Sequence, residues 1–183
     1  MIIEQVVENA ISGDRDAFNL IIREYQQQIF TYIFKMIKNY QDAEDLTQDT
    51  FVKAYKKISN LNDTRGLKNW LYQIAYRTTV DYIRKPSVKS LVLLFDPSSS
   101  NEVSYEADFF INEDSELVNK IFANLNYKEL TLLTLRVIEE MSYSEIGVIM
   151  NKSPSVLRKR YERLIAKLKK ELLNGEGFIY EEK

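Results

Sequence analysis

Between Ala17 and Ile37 the apolar side chains of Phe18, Ile21, Ile22, Tyr25, Ile29, Tyr32, Ile33, Met36 and Ile37 recur at three- and four-residue steps. That spacing predicts a helix with one apolar stripe. A second helix is expected to open at Asp42, whose side chain suits an N-cap and which is followed by acids at the positive end of the helix dipole. It should run to about Ile58. The turn-forming run SNLNDTRG, residues 59–66, ends it. LKNWLYQIAYRTTVDYIRK then predicts a third helix that closes on cations and stops before Pro86. No segment alternates in the way a half-buried strand requires.

The pattern resumes near residue 126. NYKELTLLTLRVIEE reads as an amphipathic helix. SYSE, Ser142 to Glu145, is a capping box that opens the short helix EIGVIM, and NKS is a tight connection. Ser153 is placed to cap the last helix, with Pro154 at its first position, where the missing N–H does no harm. Gly147 lies inside the short helix and costs about 1 kcal/mol there relative to alanine, so its expected use is close helix contact. In the last helix Leu157, Tyr161, Leu164, Leu168 and Leu172 form the expected buried side, and Ser155, Arg158, Lys159, Glu162 and Arg163 lie opposite. Helix, tight turn, basic helix is the helix-turn-helix arrangement.

Charge changes the picture between these two helical groups. The chain has a formal net charge of −2, but residues 86–125 hold two basic and seven acidic residues, while 126–174 hold ten and six. The middle also carries two of the three prolines and a serine run, the marks of a linker. Its apolar pieces, Leu91 to Phe95 and Phe109 to Ile111, are expected to dock on a surface and order on binding. The expected organisation is all-α: a helical bundle over residues 1–85, an acidic linker over 86–116, a helix-turn-helix over 117–174 and a tail over 175–183. The stretch 151–172 gathers eight cations against two acids. A helix of that length reaches roughly 28 Å, enough to lie in a major groove, with arginines that can take a guanine edge.

Composition narrows the function. There is no cysteine and no histidine, only five glycines, and no run approaching the ~20 apolar residues that span a bilayer. No signal-like segment opens the chain, so a cytoplasmic protein without membrane insertion is expected. With the commonest general base and metal ligand absent, neither catalysis nor a cofactor nor a metal site is expected. A carboxylate metal site around Asp45 is the weaker alternative.

DAEDLTQDTFVKAY, LKNWLYQIAYRTTVDYIRK and LRVIEEMSYSEIGVIMNKSPSVLRKRYERLIAKLKKEL, in that order and spacing, resemble bacterial RNA polymerase sigma factors of the extracytoplasmic-function (ECF) class. The likeness covers roughly residues 17–85, as region 2, and 117–173, as region 4. It implies a protein that binds core RNA polymerase and directs initiation at promoter DNA. In the family, Asp45, Gln48 and Asp49, with Phe51 nearby, would meet the polymerase clamp. Loop residues Asn60, Asn62, Asp63, Thr64 and Arg65, with Lys68, Trp70, Arg77, Arg84 and Lys85, would meet the opened −10 element. Ser155, Val156, Arg158, Lys159, Glu162, Arg163 and Lys167 would meet the −35 element. The chain departs from the family where Arg77 replaces the usual asparagine, Val156 a threonine and Ile165 an arginine. An anti-sigma factor is left open as a partner. The alternative function is a helix-turn-helix regulator that binds an operator without polymerase.

Overall fold

The computed structural model describes residues 3–85 and 124–176, all of whose regular elements are helical. The acidic linker and its two apolar pieces therefore lie outside the described residues. Helix α1, Ile3–Ile11, buries Val6, Val7 and Ala10. Asp14 caps α2, Arg15–Ile37, by accepting from the N–H groups of Asp16 and Ala17 at 2.8 and 3.2 Å. The predicted stripe of α2 is buried at Phe18, Ile21, Ile29, Tyr32, Ile33, Met36 and Ile37. A left-handed Lys38 ends the helix.

Helix α3 runs Tyr40–Lys57 and begins earlier than expected. Its cap is Asn39, whose side chain accepts from the Asp42 N–H at 2.9 Å, so Asp42 sits in the first turn. Either residue type could cap, and the extended backbone of Asn39 decides between them. Two 3-10 turns, Ile58–Asn60 and Thr64–Gly66, lead into α4, Leu67–Ile83.

In the second half, α5 spans Tyr127–Leu133 and is opened by a reciprocal capping box between Asn126 and Glu129. It does not continue as the regular helix expected to Glu140. Residues Thr134–Ile138 form a π turn, and Glu140 adopts a left-handed conformation. An unbroken α-helix would stack Leu130, Leu133, Thr134, Val137 and Ile138 along one stripe. The wider turn breaks that register, leaving Thr134 and Leu135 buried and Val137 and Ile138 exposed. Arg136 seals the reversal by donating to the Met141 carbonyl at 2.8 Å.

Helix α6, Tyr143–Met150, carries the capping box read from SYSE, with both reciprocal hydrogen bonds formed. A left-handed Asn151 turns the chain into α7, Pro154–Glu176. Gly147 has the close contact expected of it: a Cβ there would lie 2.6 Å from the Lys152 carbonyl oxygen. On α7, Leu157 and Leu164 are buried and Tyr161 and Leu168 half-buried, whereas Leu172, expected inside, is 36% exposed because the core ends before it.

The two helical groups share one apolar core. Leu132, Leu135, Met141, Ile146, Ile149 and Leu157 pack in the same cluster as Ile29, Tyr32, Leu71 and Tyr72. A smaller cluster of Leu125, Leu130, Leu133 and Leu164 ties α5 to α7.

Candidate functional site

Three surfaces carry the residues that the sequence singled out. On α3, Asp45, Gln48 and Asp49 are exposed, while Ala43, Leu46, Thr50 and Ala54 face the core. Asp49 pairs with Lys53 one turn on, at 2.8 Å. Phe51 differs from its three companions: at 6% exposure it belongs to the core, and with Phe18, Ile22, Gln48, Val52 and Tyr55 it lines an open cavity of about 620 Å³. At the start of α3, the carboxylate of Asp42 lies against Tyr82. Burial first, then this neighbour, pushes the Tyr82 hydroxyl up to about 12.

The second surface is the loop at 59–66 with α4. Asn60, Asn62, Asp63 and Arg65 are exposed, and Thr64 half-buried. The Asp63 carboxylate accepts from the Arg65 backbone N–H at 3.0 Å and holds its Nε at 3.4 Å, so the loop braces its own arginine. Trp70 is half-buried against the core. Arg77, Arg84 and Lys85 are exposed, with the Lys85 ammonium 5.6 Å above the Tyr82 ring.

The remaining face of α4 is engaged by the helix-turn-helix. Lys68 Nζ lies 3.0 Å from Glu139 Oε2, Asn69 Nδ2 donates to Glu145 Oε1 at 2.9 Å, and Gln73 Nε2 donates to the Val148 carbonyl at 2.9 Å. Hydrogen bonds from Asn69, then from Ser142, hold the Glu145 carboxyl below its ordinary range. Behind this seam the buried rings of Tyr32 and Tyr72 meet edge-to-face at 5.1 Å. The Tyr32 hydroxyl lies beside Thr131 and the Tyr72 hydroxyl beside Glu139. Burial raises both pKa values, and for Tyr72 the neighbouring Glu139 adds to the rise. Asn69, Gln73, Glu139 and Val148 were not singled out in the sequence, and Glu145 was read only as a cap.

The third surface is the outer side of α7, where Ser155, Val156, Arg158, Lys159, Glu162, Arg163 and Lys167 are all exposed. Arg158 stands 5.7 Å over the ring of Tyr143, which also carries Arg136 at 5.0 Å, and Tyr143 packs edge-on against Tyr161. Lys167 is 4.0 Å from Glu129. Ile165 is half-buried against Leu125, Leu130, Leu133 and Leu164.

A basic, exposed second helix after a tight turn is the arrangement in which helix-turn-helix proteins present a helix to a DNA major groove. The comparisons fix the family. The Sigma-70 region 2 family matches residues 21–87. Over 182 residues, spanning 94% of this chain and 97% of the relative, the chain is 31% identical to the ECF RNA polymerase sigma factor SigW of Bacillus subtilis. It is 27% identical to the RNA polymerase sigma-H factor of Pseudomonas aeruginosa over 177 residues, 87% of this chain and 88% of that one. Its fold is similar to that of RpoE from Bartonella quintana, solved with the anti-sigma factor NepR, at a TM-score of 0.67 and 20% identity over 85% and 96% of the two chains. It is also similar to CnrH, solved with the cytosolic domain of CnrY, at 0.66 and 20% over 94% and 97%. The chain belongs to the ECF family of RNA polymerase sigma factors.

Proposed function

We propose that this protein binds core RNA polymerase and directs it to promoters, reading a −10 element with residues 59–66 and α4 and a −35 element with α7. The observation that carries the proposal is the near-full-length likeness to SigW, which runs through both helical groups and the segment between them. The exposure of the assigned side chains supports it. Asp45, Gln48 and Asp49 form an acidic patch suited to a basic partner surface. The outer side of α7 sets Arg158, Lys159 and Arg163 where a major groove would meet them. Phe51 supports the α3 patch from beneath instead of contacting the partner with its whole ring.

The assignment gives the chain no catalytic step of its own and places it with polymerase in the cytoplasm. No described helix is long and apolar enough to cross a membrane. The helical units assigned to regions 2 and 4 are joined by the acidic stretch 86–116. The resemblance to RpoE, solved with an anti-sigma factor, makes such a factor a partner worth testing by co-purification. The decisive experiment is transcription in vitro from a promoter library with purified core enzyme. Transcripts from a common promoter class, dependent on this protein, are expected. Sequence-specific operator binding without polymerase, together with no transcripts, would favour the simple regulator.

A further inference from the structure

Within this sigma reading, on which the inference rests, we propose that Val156 sets part of the −35 specificity by seating its methyl groups against the C5-methyl of a thymine in the major groove. Helix α7 opens at Pro154, so Val156 stands in its first turn, the part of a recognition helix that meets base edges. It is 40% exposed, although its neighbour Leu157 is fully buried. At about 100° per residue, Lys159 and Arg163 follow it one and two turns further along the same exposed face. A duplex held by those cations, through phosphates or a guanine edge, brings its base edges to Val156. Ser155, the adjacent side chain at the tip, is turned toward the cap, with its hydroxyl 3.3 Å from that of Ser153.

Valine carries neither a donor nor an acceptor on its side chain, so it cannot read a base edge by hydrogen bonding. Of the groups that line the major groove, the thymine methyl is the one that gains from apolar contact. The β-branched side chain has one strongly preferred rotamer in a helix, so its methyls are presented with little rotational freedom left to lose on binding. Packing does not account for the residue. Leu157 and Leu164 fill the buried side of α7, and Val156 belongs to neither apolar cluster. Taking one methyl group out of water changes an affinity about fourfold, which sets the size of the discrimination between thymine and a base without the methyl.

The test uses the full-length protein with core RNA polymerase and a duplex carrying the most strongly transcribed promoter of the library. Each thymine of its −35 element, on either strand, is replaced in turn by deoxyuridine, which keeps every hydrogen-bonding group of the base edge and removes only the methyl. Fluorescence anisotropy gives the affinities of the parent, Val156→Ser and Val156→Ala, and circular dichroism checks their folds. In the parent, one thymine should show a loss of about fourfold on conversion to deoxyuridine. In Val156→Ser that loss should vanish at the same position, and in Val156→Ala it should shrink. A −35 element without thymine, a parent with no sensitive thymine, or an equal loss in the parent and Val156→Ser would each overturn the proposal. If Val156→Ser fails to fold, Val156→Ala carries the test, and a loss equal to the parent's overturns it. Core-dependent transcription by the parent is measured alongside. Its absence counts against the sigma reading and this proposal together, and its presence without a sensitive thymine counts against the thymine contact alone.

Discussion

Gly147→Ala sets two opposed effects against each other, and the structure decides the sign. Alanine is the better helix former by about 1 kcal/mol, and at an unconstrained helical site the exchange would stabilise. Here the added Cβ would stand 2.6 Å from the Lys152 carbonyl oxygen, about 0.8 Å inside the 3.4 Å at which ordinary contact begins. The obstacle is main chain, so no rotamer change can remove it. Lys152 follows the left-handed Asn151, its own N–H bonds back to the Gly147 carbonyl at 3.0 Å, and Ser153 accepts from Leu157 at 3.1 Å to start α7. Relief requires the turn to shift and α7 to shift with it. Overpacking of this kind costs roughly 1–3 kcal/mol. After the propensity gain, a net loss of up to about 2 kcal/mol is expected, or a fall in Tm of up to roughly 8 °C for a chain of this size. Thermal unfolding followed by circular dichroism reads the stability, and a core-dependent promoter gel shift reads the displacement of the recognition helix. A variant more stable than the parent, as helix propensity alone requires, would refute the close-packing account of the glycine.

The capping box makes a pH prediction. The folded-state pKa of Glu145 is depressed, so its contribution to stability is fully present above the ordinary carboxyl value near 4.5 and is lost as pH falls below it. Urea unfolding between neutral pH and mildly acidic pH should show Glu145→Gln less stable at neutrality and with a flatter acid limb than the parent. Tyr143→Leu removes the ring that Arg136 and Arg158 share and should weaken −35 binding several-fold, on the order of 0.5–1 kcal/mol, while Tyr143→Phe retains it; fluorescence anisotropy on a duplex in the presence of core enzyme distinguishes them. Asp49→Lys replaces an exposed ion pair with Lys53 by a like-charge pair, costing only about 0.5 kcal/mol of helix stability, yet it reverses charge on the proposed polymerase face. Polymerase binding should fail in a pull-down while Arg163→Ala, costing about 1–3 kcal/mol of DNA contact, leaves it intact; the opposite pattern would exchange the roles of the two surfaces.

Legibility in the sequence followed how local the determining interaction is. The SYSE box, the stripe of α2, the polar side of α7 and the tight role of Gly147 depend on residues a few positions apart, and all were readable. Asn39 was passed over for Asp42 because both residue types can cap, and only the backbone entering the helix chooses. The π turn was hidden because its apolar residues keep α-helical spacing in the sequence. What reveals the break is that Val137 and Ile138 lie in solvent. Phe51 sat among exposed acids in the sequence, but the packing of α3 on its neighbours buries it. The polar seam was least legible. Asn69 and Glu145 are separated by 76 positions and Gln73 and Val148 by 75, and no local pattern marks either pair.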